Sequence, residues 1–355
     1  MAASDHSAEQ AGQPGPAARA GAGDQPALTT TTGQAAQDCE QVLAAVGRAV
    51  VGKRGPLSLI LAGILAGGHV LIEDNPGLAK TLAARSFARA LGLEFRRVQF
   101  TPDLLPSDIT GSFVYDQRQN DFAFRAGPLF AGLVLADEIN RTPPKTQAAL
   151  LEAMQEAQAT VEGRTFPLPS PFHVIATANP IEYEGTYPLP EAQLDRFLLR
   201  VSFGYPSKEE EWQVLQRRIE RRSEAVTVEP VLSARQLRAI QQAVETVEVS
   251  EPVGRYCVDL VDATRFHQHL LVGSSPRGAL ALLLVARAYA LIHHRDYVTP
   301  EDVKAVAVPA LAHRVTLKPE MWMRNLSAAG VIGSVLDSVP VPDADRSGYS
   351  AVGRR

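Results

Sequence analysis

Cysteine is scarce in this sequence: the 355 residues contain two, Cys39 and Cys257, which lie far apart in the chain. Their spacing is not that of a metal site, and so few cysteines fit a reducing cytoplasm. The N-terminal residues also lack the basic start and the apolar stretch of a secretory signal. We therefore expect a cytoplasmic protein.

An excess of positive charge is also missing, since the formal net charge is −4. No obligatory nucleic-acid partner is expected from this balance. Long hydrophobic runs are missing as well: Leu57–Gly68 is too short to span a bilayer, and Leu280–Ile292 is interrupted by Arg287. We predict that both are core helices and that the protein does not insert into a membrane.

Large aliphatic residues are nearly absent from the first 35 residues, which are rich in Ala, Gly, Gln, Pro and Thr. A segment of this composition cannot bury enough surface to offset the entropy that it loses on ordering. Residues 1–35 are therefore predicted to be a disordered tail. Residues 338–355 have a similar composition and are predicted to be a second, flexible tail.

Between the tails, residues 36–204 alternate short apolar runs with helical patterns. The apolar runs are continuous, which predicts strands covered on both faces in a parallel sheet. With helices between the strands, this segment is predicted to be an α/β domain with three αβα layers. The candidate strands are Val70–Glu73, Phe95–Phe100, Leu133–Asp137, Phe172–Thr177 and Phe197–Phe203.

Two insertions and a second domain complete the predicted organisation. Polar turns between short apolar segments predict hairpins at about 112–125 and 159–168. Residues 205–337 carry helix-start signals instead, with capping boxes at Ser207–Glu210 and Ser233–Gln236. This segment is predicted to be a small all-helical domain.

The stretch VLIEDNPGLAKT at residues 70–81 predicts a buried strand, a tight loop and the start of a helix. Backbone N–H groups in such a loop cradle the phosphates of a nucleotide. Lys80 would reach the outer phosphates, and the Thr81 hydroxyl would contact Mg²⁺. The predicted nucleotide contacts are Asn75, Pro76, Gly77, Leu78, Ala79, Lys80 and Thr81.

The loop departs from the full glycine-rich pattern at two positions, which Asp74 and Ala79 occupy. Alanine fits at position 79 if the backbone there is already helical. Asp74 fits only if its carboxylate points away from the phosphates or caps the turn. An ordinary strand–turn–helix connection is the alternative interpretation.

Polar residues also end two later strands. Asp137 follows an apolar run and suits Mg²⁺ bound with a nucleotide, because that ion uses few protein carboxylates. Glu138 could deprotonate an attacking water, and Asn179 could contact the γ-phosphate or place that water. The alternatives are a solvated strand end for the two acids and an Asn-Pro turn for Asn179.

Two arginines are candidates for phosphate contacts. Arg277 lies in the first turn of a predicted helix, where a cation opposes the helix dipole unless a phosphate binds there. Arg196 precedes a predicted strand and could stabilise charge on a transferring phosphate. Arg277 could instead be an ordinary surface residue, and Arg196 could simply pair with Asp195.

Three longer phrases, with the loop above, resemble the MoxR family of AAA+ ATPases over roughly residues 38–320. They are VQFTPDLLPSDITG at 98–111, ADEINRTPPKTQ at 136–147 and YPLPEAQLDRF at 187–197. The resemblance implies roles for Lys80 and Thr81 (Walker A), Asp137 and Glu138 (Walker B), Asn179 (sensor 1), Arg277 (sensor 2), Arg196 (arginine finger) and Val51–Gly52 (near the adenine). The two hairpins would be the helix-2 insertion and the pre-sensor-1 hairpin.

The resemblance further implies a ring hexamer in which the finger acts on a neighbour's nucleotide. Such proteins are chaperone-like ATPases that mature or activate a client protein, often with a von Willebrand factor A domain partner. ATP and Mg²⁺ would be the cofactors. The alternatives are a nucleic-acid-directed AAA+ motor, a nucleotide-gated binding module with little hydrolysis, and a chelatase-type subunit that inserts Mg²⁺ into a porphyrin.

Overall fold

The computed structural model describes residues 28–180, 186–223, 225–322, 324 and 326–342. The strands are β1 Val70–Glu73, β2 Phe95–Gln99, β3 Gly111–Asp116, β4 Asp121–Ala126, β5 Leu133–Asp137, β6 Gln158–Val161, β7 Arg164–Pro167, β8 His173–Ala178, β9 Leu199–Val201, β10 Leu270–Val272 and β11 Thr316–Leu317.

The helices of the α/β part are α1 Thr32–Ala49, α2 Arg54–Leu65, α3 Lys80–Ala90, α4 Pro106–Thr110, α5 Pro144–Glu156 and α6 Glu191–Leu194. Those that follow are α7 Lys208–Arg221, α8 Ala234–Glu245, α9 Glu251–Arg265, α10 Pro276–Ile292, α11 Pro300–Leu311, α12 Pro319–Trp322 and α13 Ala328–Ser338.

A five-stranded parallel sheet forms the centre of the α/β part, in the order β2-β5-β8-β1-β9. Successive residues of a strand point to opposite faces, and both faces are covered: Leu133 and Leu135 of β5 pack with α1–α3, whereas Val134 and Ala136 pack on the other side. Gln99 pairs with Asp137 across β2 and β5. The carboxyl ends of the strands therefore meet along one edge, as the predicted α/β fold requires.

Two antiparallel hairpins project from the sheet domain, β3–β4 and β6–β7. Phe124 of the first hairpin stacks on Phe166 of the second, with ring centroids 3.9 Å apart. Arg164 lies over the ring of Phe113 at 5.1 Å. These aromatic contacts hold the hairpins together as one unit.

The helical part begins with the capping boxes that the sequence indicates. The Ser207 side chain accepts the backbone N–H of Glu210, and the Ser233 side chain accepts the backbone N–H of Gln236. In each pair the Glu or Gln side chain accepts the backbone N–H of the serine. Its helices α8, α10 and α11 pack into the same hydrophobic cluster as α1 and α2. One continuous core therefore runs from one face of the sheet into the helical domain.

The predicted disordered tail, residues 1–35, extends too far into the chain. Helix α1 begins at Thr32, with Thr31 as its N-cap, and Ala35 and Ala36 are buried. The prediction relied on the lack of large aliphatic residues, but the first turn of this helix buries alanines instead. Residues 1–27 and 343–355 lie outside the described residues.

Helix α13 was not predicted, although the predicted helical domain extends over it. Its apolar residues Val331, Ile332 and Val335 are buried against α9 and α11. Its N-cap is Ser327, which accepts the N–H of Gly330 at 3.1 Å.

In the part of the chain that the structure describes, no helix combines the length and apolar character needed to cross a membrane.

Three histidines are buried inside the protein. Val174 N–H donates to Nδ1 of His69, so Nε2 is the ring nitrogen that donates to the carbonyl of Met154. Burial lowers the pKa of His69 and of His173 to about 4, and it lowers the pKa of His313 to about 3. These side chains are neutral in the folded protein.

We expect the free energy of unfolding to decrease as the pH falls from about 6.5 toward 4, because a histidine in the unfolded chain has a pKa near 6.5. The unfolded state then binds more protons than the folded state, at up to about 1.4 kcal/mol per pH unit for each histidine. Urea unfolding across this range would measure the slope. His173→Gln should make it shallower, and the exposed His294→Asn should not. Equal slopes in all three proteins would contradict this prediction.

Candidate active site

A cavity of about 410 Å³ lies at the carboxyl edge of the sheet, where β1 leads through a loop into α3. It gathers the loop and the ends of β5 and β8. Its lining consists of Pro76, Gly77, Leu78, Ala79, Lys80, Thr81, Leu82, Arg97, Asp137, Glu138, Thr177 and Asn179.

Asp74 points away from this cavity. Its Oδ2 accepts the N–H groups of Phe203 at 2.6 Å and Gly204 at 2.8 Å, and the Ser202 hydroxyl at 3.1 Å. Each of these N–H groups would cost about 1–3 kcal/mol if it were buried without an acceptor. Asp74 therefore fastens the start of the loop to the chain that leaves β9, and its charge does not face the phosphate positions.

Ala79 does not have the helical backbone that its fit was expected to need. It is left-handed, with φ 60° and ψ 21°, and it immediately precedes helix α3. An L-residue in this conformation costs about 1–2 kcal/mol relative to its usual backbone. The loop geometry thus calls for the glycine of the full pattern, and this chain accommodates alanine under strain.

Lys80 places its ammonium group at the base of the loop. Nζ donates to the carbonyl of Asp74 at 2.5 Å and lies 3.4 Å from the carbonyl of Ala178. These carbonyls stand at the ends of the neighbouring strands β1 and β8. The cation is therefore held at the strand edge, beside the N-terminus of α3.

Asp137 is almost fully buried, and its two carboxylate oxygens have different partners. Oδ1 accepts the Thr177 hydroxyl at 2.6 Å. Oδ2 accepts Nη2 of Arg97 at 2.7 Å and lies 3.5 Å from the Thr81 hydroxyl. Thr177 thus fixes one carboxylate oxygen of Asp137, while the other oxygen binds Arg97 and faces the Thr81 hydroxyl.

Glu138 also has a left-handed backbone, with φ 58°, which turns its side chain off the line of β5. Its N–H donates to the Thr177 hydroxyl at 2.8 Å. Its carboxylate accepts Gln99 Nε2 at 2.8 Å and Arg141 Nε at 3.1 Å. The two adjacent acids therefore diverge, and both are positioned by Thr177.

Asn179 lies directly after β8 and is buried at the wall of the cavity. Its carbonyl accepts Asn140 Nδ2 at 3.3 Å. The structure therefore brings Asn179 together with the loop and the two acids, at the carboxyl edge of the sheet.

Arg196 and Arg277 lie elsewhere. Arg196 lines a separate groove of about 260 Å³ with Glu152 and Glu156 of α5. Arg277 is half exposed, and its guanidinium is 3.6 Å from Asp195. Neither arginine is among the residues that line the main cavity of this chain.

Val51 and Gly52 are not among the residues that line this cavity, and Gly52 lines another one, of about 330 Å³. Gly52 has φ 71°, which favours glycine, and a Cβ built on it would also displace the Glu210 side chain of α7. The next residue, Lys53, donates to the carbonyl of Tyr205 at 3.0 Å. Tyr205 joins this region to the loop, since its hydroxyl accepts Asn75 Nδ2 at 2.9 Å. The segment thus borders both the helical domain and the phosphate loop.

Sequence reasoning missed several groups in the site, namely Gln99, Arg97, Arg141 and Thr177. Arg97 reaches Asp137 because β2 and β5 are parallel neighbours, an order that the sequence does not state. Thr177 could have been predicted from the sequence, since a polar residue in an otherwise apolar buried strand needs a hydrogen-bond partner.

Comparison with known proteins connects this geometry to a family. A model of the "ATPase family associated with various cellular activities (AAA)" matches residues 69–199, and one of the "AAA lid domain" matches residues 262–329. Chaperone MoxR1 of Mycobacterium tuberculosis is 44% identical over 315 residues, which are 86% of this chain and 83% of that protein.

Two further comparisons agree. The Bacillus subtilis protein YeaC is 48% identical over 298 residues, covering 84% of this chain and 92% of that protein. The crystal structure of a candidate ATPase from Cytophaga hutchinsonii matches with a TM-score of 0.82 and 42% identity, over 88% of this chain and 97% of that one.

With a parallel αβα sheet, a helical lid domain and a nucleotide-sized cavity at the strand edge, the molecule is an AAA+ ATPase. The sequence identities of 44% and 32% to two proteins named MoxR, each over most of both chains, define the family within that class. This chain belongs to the MoxR family.

Proposed function

We propose that this ATPase uses Mg²⁺-dependent hydrolysis to remodel, mature or activate a client protein in the cytoplasm, together with a von Willebrand factor A domain partner. The observation that carries the catalytic part is the single cavity in which Lys80, Thr81, Asp137, Glu138 and Asn179 meet. The name of the relative Chaperone MoxR1 supports the chaperone-like part.

In this proposal the loop and Lys80 bind the phosphates. The N–H groups that precede and open α3 carry the partial positive charge of a helix N-terminus, which favours an anion. The Lys80 ammonium, held between two strand-end carbonyls, adds a full positive charge at the same place. Val51–Gly52 is the proposed adenine contact.

The donor set also fits Mg²⁺. Asp137 Oδ2 lies 3.5 Å from the Thr81 hydroxyl, and one carboxylate with one hydroxyl suits an ion that keeps waters and phosphate oxygens as its other ligands. The same oxygen accepts Arg97 in this structure, so Arg97 would have to release it when the ion binds. Among the described residues, no group of three or more His, Cys, Asp or Glu could hold a metal ion alone. When bound, Mg²⁺ would polarise the phosphoryl oxygens.

Glu138 is the proposed general base. Its carboxylate is anchored by Gln99 and Arg141 at the cavity wall, so it can accept a proton from a water that lies beside the bound phosphates. Asn179 borders the same space and can orient that water with its side-chain amide. In this scheme Asp137 stays in place, since Thr177 donates to its Oδ1.

Arg196 supports a ring. It lines the groove beside α5 and is not among the residues that line the nucleotide cavity of its own chain, a position that suits a role toward another subunit. We propose a homohexamer in which Arg196 acts on the neighbour's ATP. Arg277, at the start of α10 in the helical domain, is the proposed contact to phosphates from the same subunit.

The β3–β4 hairpin is the proposed client contact. Its side chains Val114, Tyr115 and Phe122 are 47%, 47% and 62% exposed, which leaves an apolar and aromatic surface on a projecting element. Exposed apolar surface of this kind marks binding to another protein.

The proposed function is tested with a Glu138→Gln protein held in ATP and used to capture partners from a lysate. We expect a von Willebrand factor A domain protein among them, and we expect Tyr115→Ser with Phe122→Ser to reduce that capture at least severalfold. Phe266→Ser is the matched control, because Phe266 is 82% exposed on the helical domain. Recovery of nucleic acid alone would contradict the proposal.

A further inference from the structure

The segment that carries Arg196 is held by the helical domain. Arg314 Nη1 donates to the carbonyl of Asp195 at 3.0 Å, and Nη2 donates to the carbonyl of Phe197 at 2.8 Å. These two carbonyls stand on either side of Arg196 in the chain. A single guanidinium therefore brackets the backbone of the proposed finger.

Further contacts reinforce this bracket. Arg314 Nη1 also donates to the Asp195 carboxylate, and its Nε donates to the carbonyl of Ala310 at 2.8 Å. His313 lies 2.9 Å from the same Phe197 carbonyl through Nε2. Two consecutive residues after α11 thus bind a segment that is more than 100 residues away in sequence.

This contact differs from a surface ion pair. The Arg314 side chain is 3% exposed, and a buried guanidinium is tolerated only where its donors are satisfied. Planar guanidinium geometry suits two acceptors at once, which a lysine ammonium cannot reproduce. The position of the Asp195–Phe197 segment is therefore set by where the helical domain places Arg314.

Arg277 meets the same carboxylate. Its guanidinium is 3.6 Å from Asp195 Oδ2, and the Ser275 hydroxyl is 3.5 Å from that oxygen. The start of α10 and Arg314, three residues after α11, consequently converge on Asp195. The residue next to Arg196 is the meeting point of two arginines from the helical domain.

We propose that Arg314 is a positioning residue for Arg196: it fixes the backbone of the finger to the helical domain of its own subunit, so that the finger is aimed at the neighbouring subunit. The inference rests on the proposed role of Arg196. It assigns to a buried lid residue an effect on hydrolysis in a different subunit of the ring.

The first test compares Arg314→Gln with Arg295→Gln. Arg295 pairs with the buried Asp302 within the helical domain and has no described contact with the Asp195–Phe197 segment, so it controls for loss of an arginine that satisfies a buried carboxylate. A displacement of about 1 Å at a catalytic group can cost 10²-fold. We expect Arg314→Gln to lower kcat by about 10–100-fold with little change in KM, and Arg295→Gln to lower it far less. Equal kcat values in the two variants would overturn the proposal.

The second test asks in which subunit Arg314 acts. Glu138→Gln subunits do not hydrolyse but keep an intact finger. In rings mixed from Glu138→Gln and Arg314→Gln subunits, some Arg314→Gln sites receive a normal Arg196 from a neighbour. We expect ATPase activity above the weighted mean of the two pure proteins, and the same recovery when Arg196→Ala replaces Arg314→Gln.

The outcomes separate the two proposals. If Arg196→Ala is rescued by mixing and Arg314→Gln is not, the finger stands and Arg314 acts within its own site, which overturns the positioning role. If pure Arg196→Ala hydrolyses ATP normally, the finger assignment itself fails. Arg314→Lys, which keeps the charge but not the fork, is the second variant should the Gln protein not fold, and it is scored by the same mixing test.

Discussion

Glu138→Gln is expected to lower kcat for ATP hydrolysis by about 10²–10⁴-fold while ATP stays bound. Glutamine has nearly the same shape as glutamate but cannot accept a proton. Lys80, Thr81 and Asp137 are unchanged in this variant, so the contacts proposed to hold the nucleotide remain. The variant should therefore separate binding from chemistry.

The structure sharpens this expectation. The Glu138 carboxylate accepts hydrogen bonds from Gln99 and Arg141, and its N–H binds Thr177. The amide oxygen of glutamine can keep one of the two side-chain contacts, so the backbone of this turn should hold its place. Steady-state ATPase rates and binding of a fluorescent ATP analogue measure the two properties.

Glu94→Gln is the matched control for this substitution. Glu94 is exposed just before β2 and pairs only with the neighbouring Arg96 among the described contacts. The same change of charge there should leave kcat within about twofold, as is usual for surface positions. If Glu138→Gln hydrolysed ATP as fast as Glu94→Gln, Glu138 would not be the base.

Arg196→Ala is expected to lower kcat by about 10³–10⁵-fold, which is the contribution measured for arginine fingers in other nucleotide hydrolases. The arginine would offset the negative charge that develops on the transferring phosphoryl group. Because Arg196 lines a groove away from its own cavity, the loss should be a property of the assembled ring. KM should change much less than kcat.

Assembly dependence gives this prediction a second readout. The rate per subunit of the unaltered protein should rise with protein concentration, whereas that of Arg196→Ala should stay low throughout. Arg255→Ala is the control, since Arg255 is 75% exposed and pairs with Glu251 on the surface of α9. A dilute monomer that hydrolyses as fast per site as the ring would contradict the assignment.

The sequence predicts most strands of the sheet well, because their apolar runs are continuous and end in polar residues. The exceptions are β2, in which Arg96 and Arg97 are exposed, and β9, which spans Leu199–Val201 and not the predicted Phe197–Phe203. Val70–Glu73 and Leu133–Asp137 are observed with the predicted bounds. Local patterns suffice for such elements, since burial on both faces leaves little choice of residue type. The helix starts at Ser207 and Ser233 are predictable for the same reason, because capping depends on neighbours only three residues away.

The remaining features depend on which distant segments the topology brings together. The role of Asp74 depends on Phe203 and Gly204, which approach only because β9 lies beside β1. The pairing of Arg97 with Asp137 depends on the order of β2 and β5. The backbone of Ala79 could not be predicted from its residue type either. Alanine prefers right-handed helical angles, whereas the loop imposes a left-handed conformation on it.

The core that the helical domain shares with α1 and α2 has a consequence for unfolding. Residues of α1 and α2 bury their apolar faces partly against α8 and α10, across the boundary that the sequence places at residue 204. A chain cut there would expose those faces to water and lose their stabilisation. We therefore expect the catalytic sheet and its lid to unfold together, although they are two units in sequence, and we expect either one to be less stable as an isolated fragment.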